Sequence, residues 1–310
     1  MRISTQASPG ELGFAFGAMA SACEVRIAGL PQAQAVRAAQ AAIDEVHRIE
    51  RKYSRYRDDG IVCAINSAAG GPSVECDTET IDLLRYAATL FEASDGRFDP
   101  TSGVLRRAWD FGRKVVPSGE SLAALLPLIA WPAVELGATS VRLPRVGMEV
   151  DFGGFGKEYA VDRACAALIA QGVRHGWVNL GGDLRAVGPQ PDGSPWSIGI
   201  QDPRDASRTI ASLPLSVGAI ATSGDFERYF ELDAKRYCHV FDPRTGMPVT
   251  YWRSLSVLAP VAIAAGSCAT IGMLLERDAA RWLDDAGVPW LGIDHSGEVI
   301  RGALDPDVMA

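Results

Sequence analysis

The stretch Asp151-Phe152-Gly153-Gly154-Phe155-Gly156-Lys157-Glu158-Tyr159 joins two periodicities. Residues 148–152 form a short apolar run with the character of a strand, while over 157–171 Tyr159, Ala160, Ala164, Ala167 and Leu168 gather on one side of a helix. A strand that passes through a glycine-rich turn into a helix exposes backbone N–H groups at the helix N-terminus. With Lys157 beside them, such a turn has the chemistry to hold a phosphate. It is not a Walker A loop, because Glu158 follows the lysine where a hydroxyl is required, and it is not G-x-G-x-x-G. Glycines there serve equally as a tight connection, so the stretch defines a strand-turn-helix unit and leaves its ligand open.

Outward from this unit, helices and strands mix without regular alternation. Over 31–56, Val36, Ala39, Ile43, Val46, Ile49 and Tyr53 recur at steps of three and four, the pattern of a long amphipathic helix. A second helix is expected at 77–94, capped by Asp77 or Thr78 and followed by Gly96, and a shorter one at 119–130 before Trp131-Pro132. Strands are expected at 23–27, 134–136, 141–143, 148–152, 176–180, 196–201, 219–222, 237–241 and 255–258. Helices follow at 262–275 and 279–286, then a hairpin at 288–301. This mixture indicates an α+β fold rather than a doubly wound sheet. With no repeat or long polar linker, the chain reads as an N-terminal extension (1–14) and one compact unit (15–310), with a smaller subdomain from its first half.

Three further glycine or hydroxyl clusters lie at strand ends. Asn179-Leu180-Gly181-Gly182-Asp183 would let a ligand approach the backbone, or form a turn closed by an Asx bond. Ala221-Thr222-Ser223-Gly224-Asp225 offers hydroxyls and N–H groups to phosphate oxygens, or a helix cap. His239-Val240-Phe241-Asp242-Pro243 reads as a strand carrying a histidine, the only one of four set among other candidate ligand-binding residues. Its ordinary pKa of about 6.5 suits a general base, although a core histidine would look the same. Ser94-Asp95-Gly96-Arg97-Phe98-Asp99-Pro100-Thr101 is a helix exit into a rigid turn. No GxSxG, HExxH, EF-hand or zinc spacing occurs, which argues against a serine hydrolase, metalloprotease or zinc domain.

The 310 residues carry a formal charge of −8, which argues against nucleic acid as a partner, and a 47% hydrophobic content that suits a large core. No apolar stretch is long enough for a membrane-spanning helix. The cysteines at 23, 63, 76, 165, 238 and 268 are scattered singly, which fits reduced thiols and a cytoplasmic location. Ala20-Ser21-Ala22-Cys23 leaves an exported or lipid-anchored form as the alternative, against which stand Pro9, Gly10 and Gly17 in the segment before it.

Taken together and in this order, the clusters resemble the ApbE family, the FAD:protein FMN transferases. The resemblance runs through Ala18-Met19-Ala20, Glu50 to Ser54 with Asn66, Asp95 to Thr101, Asp151 to Asp162, Val178 to Asp183, Ala221 to Arg228, His239 to Pro248 and the helix from Ala264. It implies a T-fold-like core with an FAD cleft against a smaller subdomain. It also implies magnesium-dependent transfer of FMN from FAD to a Thr or Ser hydroxyl of an acceptor flavoprotein, such as an electron-transfer complex subunit, with release of AMP. The resemblance places the flavin near Met19 and Tyr56, and the phosphates near Gly154, Gly156, Lys157 and Glu158 and near Thr222, Ser223 and Gly224. Asp99 and Thr101 would shape the pocket, Asn179, Gly181 and Asp183 would line it, and His239 with Lys157 would carry the chemistry.

Two positions depart from the family pattern. The family's late helix carries a magnesium-binding Asp four residues before a magnesium-binding Thr; here Thr270 is kept and Gly266 stands in place of the Asp. The remaining ligands, Thr270 and the Gly156 carbonyl, are neutral, so a transferase with a modified metal site and a carrier, assembly protein or FAD pyrophosphatase are both open. Glu158, where many members have Gly, is the second departure; it lies next to the phosphate turn and could supply the missing carboxylate.

Overall fold

The computed structural model describes residues 2–4, 10–233 and 235–302; residues 1, 5–9 and 303–310, parts of the expected extension and of the unit's end, lie outside them. The first half of the chain contributes β1 (Arg2–Ser4), β2 (Glu11–Ala18), β3 (Ser21–Ala28), α1 (Gln32–Tyr53), α2 (Ile61–Ser67), β4 (Val74–Glu75), α3 (Thr78–Ala93), α4 (Gly119–Leu125), β5 (Glu135–Leu136) and β6 (Ser140–Arg142). The second half contributes α5 (Gly156–Ala170), β7 (Gly176–Leu180), β8 (Asp183–Gly188), β9 (Trp196–Asp202), β10 (Asp205–Leu215), β11 (Gly218–Gly224), β12 (Tyr229–Leu232), β13 (Lys235–Cys238), β14 (Trp252–Ala259), α6 (Ala262–Leu275), α7 (Ala279–Asp285), β15 (Trp290–Asp294) and β16 (Val299–Gly302). Among the described residues, nine of these strands form one antiparallel sheet in the order β1-β2-β3-β7-β8-β11-β14-β15-β16. The architecture is α+β, as the irregular element order indicates.

Strand alternation assigns the two faces. In β7, Val178 enters the core beneath α1, α5 and α6, while its neighbour Trp177 enters a second core on the opposite face. The long β9–β10 hairpin covers that second face, where Trp177, Leu184, Trp196, Ile200, Leu213 and Ile293 are buried. Each such side chain contributes roughly 1.5–3 kcal/mol by leaving water. A third, aromatic cluster of Trp109, Phe111, Phe230, Tyr237 and Phe241 joins the two halves of the chain, tied down by Trp109 Nε1 donating to the Gly246 carbonyl at 2.8 Å.

The long helices form where the periodicity places them. In α1, Ala35, Ala39, Ala42, Val46, Ile49 and Tyr53 make the buried stripe, and Asp77 caps α3 by accepting from the Thr80 N–H. Elsewhere the structure corrects the sequence reading. Residues 148–152 are not a strand, because Asn66 takes the place of a strand partner, accepting from the Val150 N–H at 2.7 Å and donating to its carbonyl at 3.0 Å. The helix expected over 119–130 stops at Leu125, since Pro127 has no N–H to continue it and a 3₁₀ turn takes over. The strand expected over 237–241 ends at Cys238, leaving His239 just beyond β13. β2, β8, β10 and α2 were not anticipated. β2 pairs along its whole length with β3, so residues 11–14 of the expected extension are part of the sheet.

Candidate active site

The site grows from the seam between α5 and α6, which run antiparallel with a register visible at three successive turns. Asp162 of α5 accepts from the N–H groups of Ala262 and Ile263, both at 2.9 Å, and so caps α6. One turn earlier in α5, Glu158 lies over Gly266, where an added Cβ would sit 2.4 Å from Glu158 Cγ and 2.5 Å from Oε1. One turn earlier again, Gly154 faces Thr270, a Cβ there falling 3.8 Å from Thr270 Cγ2. An aromatic stack anchors this end of α5: Phe152 and Phe155 lie 5.0 Å apart, and Phe155 meets Phe98 and Tyr86 at 6.2 and 5.7 Å. Tyr86 also donates to Ser267 Oγ at 3.0 Å, fixing α6 from the other side.

Charge concentrates where the first turn of α5 meets the strand ends. Lys157 Nζ lies 3.0 Å from Asp183 Oδ2. Burial opposes the lysine's charge, but Asp183 and Glu158 outweigh it and hold its pKa above the ordinary value. Glu158 is 6% exposed, and burial, followed by the nearby Asp183, raises its pKa. Its Oε2 has no hydrogen-bond partner. His239 is neutral at pH 7: burial first, then the positive charges of Arg228, Lys157 and Arg55, lower its pKa to about 4. Its Nδ1 is likewise buried and unpartnered, while its backbone N–H donates to the Arg228 carbonyl at 3.1 Å. Arg55 pairs with Asp151 and donates to the Tyr56 hydroxyl at 3.0 Å.

The expected residues divide into those that converge and those that brace. Lys157, Glu158, Asp183, Thr222, Ser223 and Thr270 meet around the seam: the Thr222 N–H donates to Asp183 Oδ1 at 3.1 Å, and Ser223 Oγ lies 3.0 Å from Thr270 Oγ1. Gly181 joins them, because a Cβ there would lie 3.7 Å from Lys157 Nζ and 2.7 Å from Ser21 Oγ. Asn179 closes that turn, accepting from the Gly182 N–H at 2.8 Å, so the Asx reading holds for its Oδ1.

The glycine-rich turn is a packed connection rather than an open ring of donors. Gly153 donates to Asp151 Oδ1, Phe155 and Gly156 donate to the Phe152 carbonyl, and a Cβ at Gly154 would strike Phe98 at 2.6 Å. Gly224 is a packing glycine too, with Phe226 2.3 Å from its Cβ position, and Thr222 and Ser223 lie in a strand and cap no helix. Asp99 and Thr101 are buried and fully engaged: Asp99 accepts from Thr101 and from the Trp131 N–H, and Thr101 Oγ1 accepts from the Ala130 N–H. Those two residues brace each other and tie the 99–101 turn to the backbone at 130–131.

Met19 and Tyr56, expected near the flavin, lie in the β2–β3 turn and just beyond α1. Met19 and Ala20 both have positive φ, 52° and 57°, in the β2–β3 turn, a conformation that costs non-glycine residues about 1 kcal/mol or more each. The Met19 N–H donates to Glu50 Oε1 at 2.6 Å, which holds the turn in place. Tyr56 is 70% exposed, with the Arg55 guanidinium 5.1 Å from its ring centroid. Sequence reasoning did not find Glu50, Arg55, Asp162 or Arg228 as site residues, because each acts through a partner distant in the chain.

The seam offers few donors to a magnesium ion. Among the described residues, no three His, Cys, Asp or Glu side chains gather into a metal site. Thr270 offers a hydroxyl and Gly156 a carbonyl, and the orphan carboxylate oxygen of Glu158 supplies a charged donor at the α5–α6 seam. Oxygen donors with one carboxylate fit an ion that keeps waters and substrate phosphates in its shell.

A lysine–carboxylate cluster at strand ends, with a neutral histidine among arginines, is the polar centre of this α+β protein. Comparison with known proteins gives the family. The model of the ApbE family matches residues 19–289, and the chain belongs to that family. It is 32% identical over 297 residues to the FAD:protein FMN transferase of Treponema pallidum (strain Nichols), covering 87% of this chain and 81% of the relative. The fold superimposes on the crystal structure of the ApbE protein of Thermotoga maritima with a TM-score of 0.87 at 30% identity, covering 94% and 96% of the two chains. A mutant of the flavin transferase ApbE of Vibrio cholerae gives a TM-score of 0.85 at 25% identity, covering 95% and 98%.

Proposed function

We propose that the chain is an FAD:protein FMN transferase. It takes FAD into the cleft and transfers FMN to a Thr or Ser hydroxyl of an acceptor flavoprotein, such as an electron-transfer complex subunit, releasing AMP. The observation that carries the reading is the half-buried Lys157 held against the buried Asp183 at 3.0 Å, beside the neutral His239. Lys157, fixed against Asp183 at the seam, offsets the charge of the diphosphate, and the Met19 turn and Tyr56 take the flavin.

In the reaction the hydroxyl oxygen forms a bond to the FMN phosphorus while the bond from that phosphorus to the bridging oxygen breaks, and AMP departs with that oxygen. The hydroxyl proton has a neutral acceptor in the His239 ring, whose basicity rises once the diphosphate's negative charge is beside it. Magnesium, when bound, neutralises phosphate oxygens, and Thr270 and the Gly156 carbonyl would hold it together with a carboxylate. Binding or hydrolysis of FAD without transfer is the reading suggested by the missing side chain at Gly266. It is weakened by the Glu158 carboxyl lying over that position.

The test is incubation of the purified protein with FAD, magnesium and candidate acceptor flavoproteins, followed by intact mass analysis. An acceptor heavier by FMN less water supports the proposal. FAD binding without adduct or AMP, across several acceptors and metals, would sink it.

A further inference from the structure

We propose that Glu158 is the carboxylate ligand of the cleft's divalent cation, delivered from α5, and that Gly266 is bare because Glu158 occupies its side-chain volume. The inference rests on the transferase reading only for the ion's purpose; the site itself follows from the packing of α5 on α6.

Four observations converge. Glu158 is 6% exposed and its Oε2 has no hydrogen-bond partner, a costly state for an ionised carboxylate. Lys157 does not neutralise it fully, since that ammonium sits 3.0 Å from Asp183 Oδ2 and leaves two carboxylates sharing one cation. The Cγ, Cδ and Oε1 atoms of Glu158 lie 2.4–2.7 Å from the Cβ position of Gly266, so any side chain at 266 would displace Glu158. Thr270 is one turn further along the same face of α6, its hydroxyl already drawn to Ser223 Oγ at 3.0 Å. A carboxylate over one turn and a hydroxyl on the next are hard oxygen donors, the kind that select Mg²⁺ or Mn²⁺. The two helix positions therefore form a reciprocal pair: a carboxylate reaching across from α5 needs an empty site on α6.

The test uses Mn²⁺ alone with the purified full-length protein, followed by electron paramagnetic resonance, with melting temperatures measured on the same variants. The parent should bind Mn²⁺, and the isosteric Glu158→Gln should weaken binding roughly tenfold or more. Gly266→Asp alone should lower the melting temperature, because its side chain meets Glu158. The double variant Glu158→Gly/Gly266→Asp should recover both stability and Mn²⁺ binding. No Mn²⁺ binding by the parent, equal binding by Glu158→Gln, or a Gly266→Asp effect on stability that does not depend on residue 158 would each overturn the proposal. The second of these is also the result expected if Glu158 merely shares a proton with Asp183. FAD binding, followed by flavin fluorescence on the same samples, separates the two readings. A parent that binds Mn²⁺ but not FAD refutes the transferase, and a Glu158→Gln variant with Mn²⁺ binding unchanged refutes only the metal assignment.

Discussion

The facing ends of α5 and α6 are built on opposite principles. The first turns of α5 carry Lys157, Glu158 and, a turn on, Asp162, whereas α6 opens with Ala262, Ala265, Gly266 and Ser267, small residues without charge. α6 has no cap of its own and takes one from Asp162; it has no side chain at 266 and takes a carboxyl from Glu158. The difference teaches that functional groups at a site need not come from the element that borders it. A bare helix is a receptor for its neighbour's side chains, provided the register between them is fixed.

Breaking that arrangement at its only lysine should have the largest effect. Lys157→Met leaves Asp183, 2% exposed in its side chain, without its ion-pair partner beside Glu158, and removing one member of such a pair costs about 3–5 kcal/mol. Urea denaturation should show this loss, and AMP release from FAD should fall by about 10²-fold or more. Full stability with full activity would mean that the charge is balanced elsewhere.

Across the cleft, His239 gives a pH signature that depends on the cations gathered at the α5 end. Its folded pKa, about 4, lies below the unfolded value near 6.5, so between these limits the unfolded chain binds the proton more readily. Its contribution to stability is therefore full above pH 6.5 and declines as pH falls towards 4, by on the order of 2–3 kcal/mol. Denaturation curves of the parent and His239→Gln should diverge in that window and run parallel above it. A parallel pair throughout would show that His239 titrates normally.

A smaller effect sharpens the comparison at the cap. Asp162→Ala removes the acceptor for the first N–H groups of α6 and the partner of Arg185 at 2.8 Å, at a cost of about 1–2 kcal/mol. Thermal melting checks the size, and hydrogen exchange should localise the loosening to the start of α6.

The sequence displays what lies within one element and hides what lies between elements. The stripes of α1, α3 and α5 are local, so periodicity reveals them. β8 is hidden because its start, Asp183, reads as the end of a glycine turn, and β2 because Gly13 and Gly17 interrupt it and the expected boundary at 14/15 cuts through it. The run at 148–152 has strand composition, yet a single amide, Asn66, satisfies Val150 from 84 residues away. At the site, Lys157, Glu158 and Asp183 are legible as polar groups next to glycine turns, and Thr270 through the family resemblance. That the glycines at 154 and 224 make room for Phe98 and Phe226, and that Asp99 and Thr101 serve each other, needed the third dimension.

The most direct measurement counts products in one reaction. AMP released and FMN attached to an acceptor flavoprotein, quantified together by chromatography and intact mass, should appear in equal amounts if the cleft performs transfer. AMP accompanied by free FMN, with the acceptor's mass unchanged, would contradict the account.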